Sequence, residues 1–231
     1  MKKAIAIGGT TLMLSGAISV PQNINAETRE RVDIIVRAAE YPNKPGKRLD
    51  NISEDFNIGV PLRYENGKYS IQEHDLNEKV SLALVEYLKE KGVNVVFQDT
   101  ENKSQDLNAA GRIAKTKNSK IYLSIHHNSY ASDSTGYFFM TNGDAESMQY
   151  AKRLSNAMSD NPMLIRQMEN RINDGYIGEM NQKPAKINIL AELGFALSNP
   201  DEARKCASIE QVDYIAKSLG DEIVKILNEI K

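Results

Sequence analysis

Cysteine and tryptophan are the residues that this sequence most clearly lacks. Tryptophan is absent, aromatic residues make up 6% of the chain, and Cys206 is the only cysteine among 231 residues. A single cysteine cannot form a disulfide within the chain, so stability has to come from the core. No positively charged surroundings are evident for Cys206, which lies in a stretch with helical character. We therefore expect a packing residue and not a nucleophile.

A surplus of positive charge is missing as well. The 29 Lys and Arg residues are balanced by 31 Asp and Glu residues, which gives a formal net charge of −2. Because binding nucleic acid through bulk electrostatics requires a basic surface, nothing in the composition indicates that activity. A hydrophobic content of 41% is sufficient for a core, and the length suits one domain, with or without a small appendage.

The N-terminal residues have the layout of a secretory signal peptide. Lys2 and Lys3 form a positive segment, a mainly apolar run follows, and Ala26 comes after a short polar stretch. We predict cleavage after Ala26, which gives a signal peptide over residues 1–26 and a mature chain over residues 27–231. The alternative is a membrane anchor, which the glycines and threonines of the apolar run disfavour.

The rest of the sequence alternates between strand-like and helix-like patterns. Short apolar runs typical of buried strands are separated by stretches whose apolar residues recur on one helical face. This alternation predicts an α/β domain with a mainly parallel sheet, and sites in such sheets gather at the carboxyl ends of the strands. Residues 39–70 are rich in Pro, Gly and Asn and are predicted to form one long loop. Strands are expected at residues 32–36, 93–97, 121–125, 136–140 and 187–191, and helices at 73–91, 107–117, 145–158 and 209–230.

Polar side chains follow three of the predicted strands. His126 comes directly after the third strand, Glu192 after the last strand and Glu40 beyond the first, while Glu73 opens the first helix. Carboxylates and an imidazole that meet at one sheet edge can bind a catalytic metal ion. Such an ion acidifies water and polarises a carbonyl, and a further carboxylate passes the proton to the leaving nitrogen. The pattern alone is not specific, because acidic residues at helix starts commonly serve the helix dipole.

Three segments resemble motifs of one enzyme family and occur in the family's order. Residues 122–129 read YLSIHHNS and resemble the SIH-x-N signature of the zinc-dependent N-acetylmuramoyl-L-alanine amidases. Residues 190–202 read LAELGFALSNPDE and are very close to the motif E-x-GF-x-SN-P-x-E of the same family. Residues 73–77 read EHDLN and resemble its helix start E-K-D-x-N. Two such motifs together are specific, whereas each alone is less so.

The resemblance implies a twisted, mostly parallel sheet flanked by helices, in a single amidase-like catalytic domain over residues 27–231. It implies that Glu73 and His126 are ligands of Zn²⁺ and that Glu192 is the catalytic carboxylate. The substrate would be peptidoglycan, cut at the amide between N-acetylmuramic acid and L-alanine, by a protein secreted to the bacterial cell wall. Neither a nucleic-acid partner nor a stable membrane span after signal cleavage is expected.

The sequence departs from the family pattern after the first strand. The family has D-x-GHGG there, and its His is the remaining metal ligand, whereas residues 37–42 of this chain read RAAEYP. Counting from the strand puts Glu40 at the position of that His, and we predict Glu40 as the third ligand; the alternative is a loop carboxylate without a metal. A site with two carboxylates is richer in oxygen, so other divalent ions become conceivable.

Neither of the other histidines is predicted to replace the missing ligand. His74 follows Glu73 on a helix, where neighbouring side chains point about 100° apart, and we expect it to face solvent. His127 follows His126 on a strand, where side chains alternate between faces. We expect it to lie behind the ligands or at the surface.

Two other functions stay open at this point. The altered ligand suggests a degenerate amidase that binds peptidoglycan or a partner without cutting. Glu192 argues against that alternative, because a carboxylate after a buried strand is costly unless it is paired or functional. The remaining possibility is a peptidase of the same fold that acts within the stem peptide.

Overall fold

Nine strands and six helices follow one another in the part of the chain that the structure, a computed structural model, describes: residues 31–39, 47–98, 107–161, 171–172 and 178–230. The strands are β1 (Ile34–Ala38), β2 (Arg48–Ile52), β3 (Arg63–Glu65), β4 (Lys68–Gln72), β5 (Val95–Gln98), β6 (Ile121–His126), β7 (Phe138–Thr141), β8 (Arg171–Ile172) and β9 (Ile187–Glu192). The helices are α1 (Glu73–Glu90), α2 (Leu107–Lys115), α3 (Ala145–Ala157), α4 (Gly178–Asn181), α5 (Pro200–Ala207) and α6 (Ile209–Glu229).

Six of these strands form a central sheet in the order β5-β1-β6-β9-β7-β8. Neighbours among β5, β1, β6 and β9 pair in parallel, whereas β7 runs antiparallel to β9 and parallel to β8. Every residue of β1, β6 and β9 is buried, as expected for parallel strands that helices cover on both faces. The predicted α/β domain with a mostly parallel sheet is thereby confirmed.

The two faces of the central sheet pack against different helices. Val36 and Leu123 belong to a large apolar cluster that includes residues of α1, α3, α5 and α6. Their neighbours Ile35 and Tyr122 point the other way, into a smaller cluster with residues of α2 and α4. Because side chains alternate along a strand, Arg37 at the end of β1 lies on the α2 and α4 face.

The prediction of one long loop over residues 39–70 is wrong for the part of this range that the structure describes. β2, β3 and β4 form a small antiparallel sheet in the order β2-β4-β3. Asn66 and Gly67 join β3 to β4 with φ values of 53° and 79°, the left-handed values that a two-residue hairpin turn of this kind requires. An Asn-Gly pair between short strand-forming segments is a strong hairpin signal, and it outweighs the Pro and Gly content on which the loop prediction rests.

The other predicted elements agree with the structure to within a few residues, as β1 shows by lying two residues later than expected. The helical stretch that contains Cys206 proves to be two helices, since Ser208 caps the start of α6 by accepting a hydrogen bond from the backbone N–H of Gln211. Cys206 is fully buried, in agreement with a packing role. Among the described helices, none combines the length and apolar character needed to cross a membrane. The predicted signal peptide lies outside the described residues.

Candidate metal and catalytic site

Three of the predicted site residues meet at the carboxyl edge of the central sheet. His126 and Glu192 end the neighbouring parallel strands β6 and β9 and are paired in register. Paired residues on adjacent strands point to the same face, so the two side chains are neighbours. Glu73 arrives from the first turn of α1, where its backbone N–H donates to the carbonyl oxygen of Lys47 at 3.2 Å. All three side chains are buried.

Glu40, the predicted third ligand, lies outside the described residues. In the ranges that the structure does describe, no group of three or more His, Cys, Asp and Glu side chains is arranged to hold a metal ion. The assignment of Glu40 as a ligand therefore stays a prediction.

His126 lies between two carboxylates. Its Nδ1 is 3.2 Å from Oε1 of Glu73, and its Nε2 is 3.3 Å from Oε1 of Glu179. Burial alone would lower the pKa of His126, but the hydrogen bonds to Glu179 and Glu73, together with the charge of Glu192, outweigh it and raise the pKa to about 10. Burial would raise the pKa of Glu73, yet His126 holds it below its usual value. Without a metal ion, the ring is therefore a cation that donates to both carboxylates.

Glu179 of α4 belongs to this site, although no motif in the sequence points to it. Its Oε2 accepts hydrogen bonds from Nη1 of Arg37 at 2.7 Å and from Oη of Tyr122 at 2.9 Å. The side chains of Arg37 and Glu179 are both 0% exposed. Burial would raise the pKa of Glu179, but the charge of Arg37 and the hydrogen bond from His126 lower it to about 2. The one available signal was an arginine within an apolar strand, because a buried charge needs a partner.

His127 lies on the opposite face from His126, against α1. Its Nδ1 is 2.8 Å from Oδ1 of Asn77, and the amide nitrogen of Asn77 donates to the carbonyl oxygen of Ala39 at 3.0 Å. Since that leaves Oδ1 as an acceptor, Nδ1 of His127 carries the proton. Burial lowers the pKa of His127 to about 4, so the ring is neutral. Its backbone N–H donates to Oε1 of Glu73 at 3.3 Å, which agrees with the prediction of a residue behind the ligands.

The prediction that His74 faces solvent is wrong. His74 is 3% exposed, and its Nδ1 lies 3.4 Å from the carbonyl oxygen of Ala39. Helical direction correctly separates it from Glu73, but the whole first turn of α1 is buried, including Asp75, Leu76 and Asn77. The helix follows β4 without a linker, and both sheets contact its first turn: Arg63 of β3 pairs with Asp75, and the carbonyl oxygen of Ala39 after β1 accepts from Asn77.

The motif after β9 connects the ends of β6 and β9. Gly194 has a φ of 154°, which favours glycine, and its carbonyl oxygen accepts a hydrogen bond from the N–H of Asn128 at 2.7 Å. Oγ of Ser198 accepts from the N–H of Tyr130 at 2.9 Å. Asn199 caps α5 by accepting from a backbone N–H of its first turn. These motif residues therefore hold the loops after β6 and β9 together.

Glu73 and His126 fit a metal ion. The 3.2 Å between Oε1 of Glu73 and Nδ1 of His126 is close to the separation of two ligand atoms that share a tetrahedral zinc ion. The second oxygen of Glu73, Oε2, is buried and has no hydrogen-bond partner among the described residues. A buried carboxylate oxygen without a partner is unfavourable, and a bound cation would satisfy it.

The sequence matches one family profile, which is described as N-acetylmuramoyl-L-alanine amidase, over residues 62–225. This range contains Glu73, His126, Glu179 and Glu192, and it begins after Glu40. The match covers more than two thirds of the chain. No curated protein sequence matches significantly.

Several solved structures share the fold. One N-acetylmuramoyl-L-alanine amidase from Clostridium difficile 630 has a TM-score of 0.67 and 18% identity, covering 87% of this chain and 99% of that one. The catalytic domain of CwlV, an amidase from Bacillus (Paenibacillus) polymyxa var. colistinus, has a TM-score of 0.65 and 18% identity, covering 85% and 98%. AmiC2 of Nostoc punctiforme has a TM-score of 0.61 and 21% identity, covering 85% and 97%. At these identities, the likeness shows a common fold.

Proposed function

The chain belongs to the N-acetylmuramoyl-L-alanine amidase family, and on this premise we propose that Glu192 is its catalytic carboxylate and that Glu73 and His126 bind its metal ion. The family consists of peptidoglycan amidases, which cleave the amide between N-acetylmuramic acid and the L-alanine of the stem peptide. The chain is accordingly a hydrolase of the cell wall. The family is generally zinc-dependent, and we propose Zn²⁺ for this chain, with another divalent ion as the alternative.

One observation carries these roles: the register pair of His126 and Glu192 at the ends of two parallel strands. It puts a carboxylate next to the candidate ligands on the same face of the sheet. The backbone is also fixed there, because the N–H of Leu193 donates to the carbonyl oxygen of His126 at 2.9 Å. A general base must be held at a constant distance from the group it serves, and two paired strands provide that rigidity.

Glu192 moves the proton in the proposed reaction. It accepts a proton from the attacking water at a carboxylate oxygen and then donates it to the nitrogen of L-alanine as the amide bond breaks. A zinc ion held by Glu73 and His126 would supply the Lewis acidity that polarises the scissile carbonyl. Phe138 of β7 pairs in register with Glu192 of β9, and the ring of Phe138 lies 6.5 Å from that of Phe195. Because paired residues lie on the same face of a sheet, Phe138 gives the carboxylate an apolar neighbour.

We assign Glu40 as the third ligand, because counting from β1 puts it where the family motif has His. Glu40→Ala should weaken zinc binding, whereas Glu40→His should retain it or improve it. The zinc dissociation constants of the two variants test the assignment. Equal zinc binding by the wild type and Glu40→Ala would contradict it.

We further propose that residues 1–26 are a signal peptide and that residues 27–231 act as a single secreted catalytic domain at the bacterial cell wall. The compact unit over Arg31–Lys231 supports this division. N-terminal sequencing of the protein from the culture medium or cell wall should give Glu27 as the first residue. A retained Met1 would contradict cleavage.

The decisive experiment is the digestion of purified peptidoglycan, with products identified by mass spectrometry. The wild type should release intact stem peptides with a free L-alanine amine, and EDTA should stop the release. The matched variant Glu192→Gln keeps the size of the side chain and should lose about 10²–10⁴-fold in rate. Full activity of Glu192→Gln would disprove its role, and cleavage within the stem peptide would indicate a peptidase instead.

The alternative of a degenerate protein that only binds peptidoglycan is not favoured. The family match includes Glu73, His126 and Glu192, and the structure brings these three side chains to one place.

A further inference from the structure

Nε2 of His126 already has a hydrogen-bond partner within the protein. Oε1 of Glu179 lies 3.3 Å from Nε2, and a carboxylate that is paired with a guanidinium can only accept a hydrogen bond. Nε2 of His126 therefore carries a proton. A metal ion requires a bare ring nitrogen, which leaves Nδ1, the atom that faces Glu73, as the only one able to bind it.

Glu179 cannot easily turn away from His126. Its other oxygen accepts from Arg37 at 2.7 Å and from Tyr122 at 2.9 Å, and Arg37 also donates to Oγ of Ser124 at 3.2 Å. These side chains are fully buried. Any rotation of the Glu179 carboxylate would break charge-assisted hydrogen bonds that no water can replace.

The backbone of Glu179 is held equally closely, although α4 has only four residues. A Cβ atom at Gly111 of α2 would lie 2.5 Å from the carbonyl oxygen of Glu179. A Cβ atom at Gly178 would lie 2.7 Å from Oδ1 of Asn108, also in α2. The two glycines allow α2 and α4 to approach so closely that the position of α4 is fixed by contact.

We propose that Glu179, held in place by Arg37, is a positioning residue of the metal centre: it keeps the proton of His126 on Nε2 and so presents Nδ1 to the metal. This inference rests on the proposed role of Glu73 and His126 as ligands. Carboxylates that accept the second N–H of a ligand histidine orient the ring, and removing them weakens metal binding about 10–100-fold.

The test is a double variant, Arg37→Met with Glu179→Leu. Removing only one member of a buried ion pair can prevent folding, whereas replacing both with apolar residues of similar volume is commonly tolerated. The control is Arg153→Met with Glu222→Leu, which removes the ion pairs of Arg153 with Glu222 and Glu229 between α3 and α6, away from the site. Zn²⁺ affinity is measured by competition with a chelating dye. The Nε2–H proton of His126 is followed by NMR, which is practical because the chain has three histidines.

We expect the site variant to bind Zn²⁺ about 10–100-fold more weakly and to lose the exchange-protected Nε2–H signal, while the control retains both. Wild-type affinity in the site variant would overturn the proposal. Weaker binding with an unchanged Nε2–H signal would also overturn it, because the loss would then come from packing. If the wild type itself fails to bind Zn²⁺, the proposed metal site is wrong. The NMR signal, recorded without metal, still decides whether Glu179 holds the ring.

Discussion

His126 and His127 are neighbours in the sequence and both are buried, but the two faces of the sheet hold them in opposite states. His126 lies on the face of α2 and α4, where Glu179 of α4 and Glu73 at the start of α1 accept its N–H groups, and its pKa is raised to about 10 despite burial. On the face of α1, the neutral amide of Asn77 accepts from His127, and burial lowers its pKa to about 4. The partner of the ring, and not its depth, decides the charge.

The difference separates two tasks of the site. In the proposed metal centre, His126 would exchange one of its protons for the metal ion, whereas His127 supports Glu73 through its backbone N–H. We therefore expect the networks around the two histidines to respond differently to substitution; three comparisons test this, and Cys206 provides a reference.

The largest difference should appear in activity. His126→Ala removes a proposed metal ligand and should lower kcat/KM roughly a thousandfold or more, since Lewis-acid stabilisation is worth several kcal/mol. His127→Ala keeps the backbone N–H that donates to Glu73 and removes only the ring behind it, so a loss of about tenfold or less is expected. The release of stem peptides measures both. Equal losses would mean that the two rings do not divide the work in this way.

The next largest difference concerns stability. Arg37→Met leaves the Glu179 carboxylate buried without its guanidinium, and we expect a loss of about 3–5 kcal/mol in the free energy of unfolding. Asn77→Ala on the other face removes two neutral hydrogen bonds and a longer one to Glu73, and a loss of about 1–3 kcal/mol is expected. Urea unfolding in EDTA, followed by circular dichroism, measures both. A larger loss in Asn77→Ala would contradict the assignment of the stronger network to the α4 face.

The two histidines should affect the pH dependence of stability on opposite sides of pH 6.5. The pKa of His126 is raised from 6.5, so its stabilising contribution is complete below pH 6.5 and is lost as the pH rises to about 10. The pKa of His127 is lowered, so its contribution is complete above pH 6.5 and is lost as the pH falls to about 4. In the metal-free protein, His126→Gln should flatten the alkaline side of the profile and His127→Gln the acidic side. The reverse pattern would exclude these charge states.

The smallest effect is expected at Cys206, a buried residue that belongs to neither histidine network. Burial, aided by the charge of Glu202, raises the pKa of this thiol to about 12. In the native protein, Cys206 should not react measurably with a thiol reagent at pH 8, and unfolding in urea should release one equivalent. Rapid reaction of the native protein would show that the core around α5 opens readily.

Prediction from sequence succeeded where the signal is local and periodic. The strand that ends in His126 and the strand that ends in Glu192 were found because each is an apolar run that stops at a polar residue. Glu179 was not found, because α4 is one helical turn and its partner Arg37 lies 142 positions away. Short elements and distant pairs leave no periodic pattern, so only the folded chain shows that these two residues meet.

The pairing of Arg37 with Glu179 also determines how early the site can form during synthesis of the chain. A ribosome that adds about 5–20 residues per second needs roughly 7 to 28 s to travel from the first of these residues to the second. Until Glu179 has been added to the chain, the guanidinium of Arg37 has no carboxylate partner and its burial is unfavourable. At that point β9, which ends in Glu192, has not yet been synthesised. Contacts between residues so far apart in the chain form late in folding, because a long loop must close first. An unfinished chain is therefore unable to cut, whatever compartment it occupies.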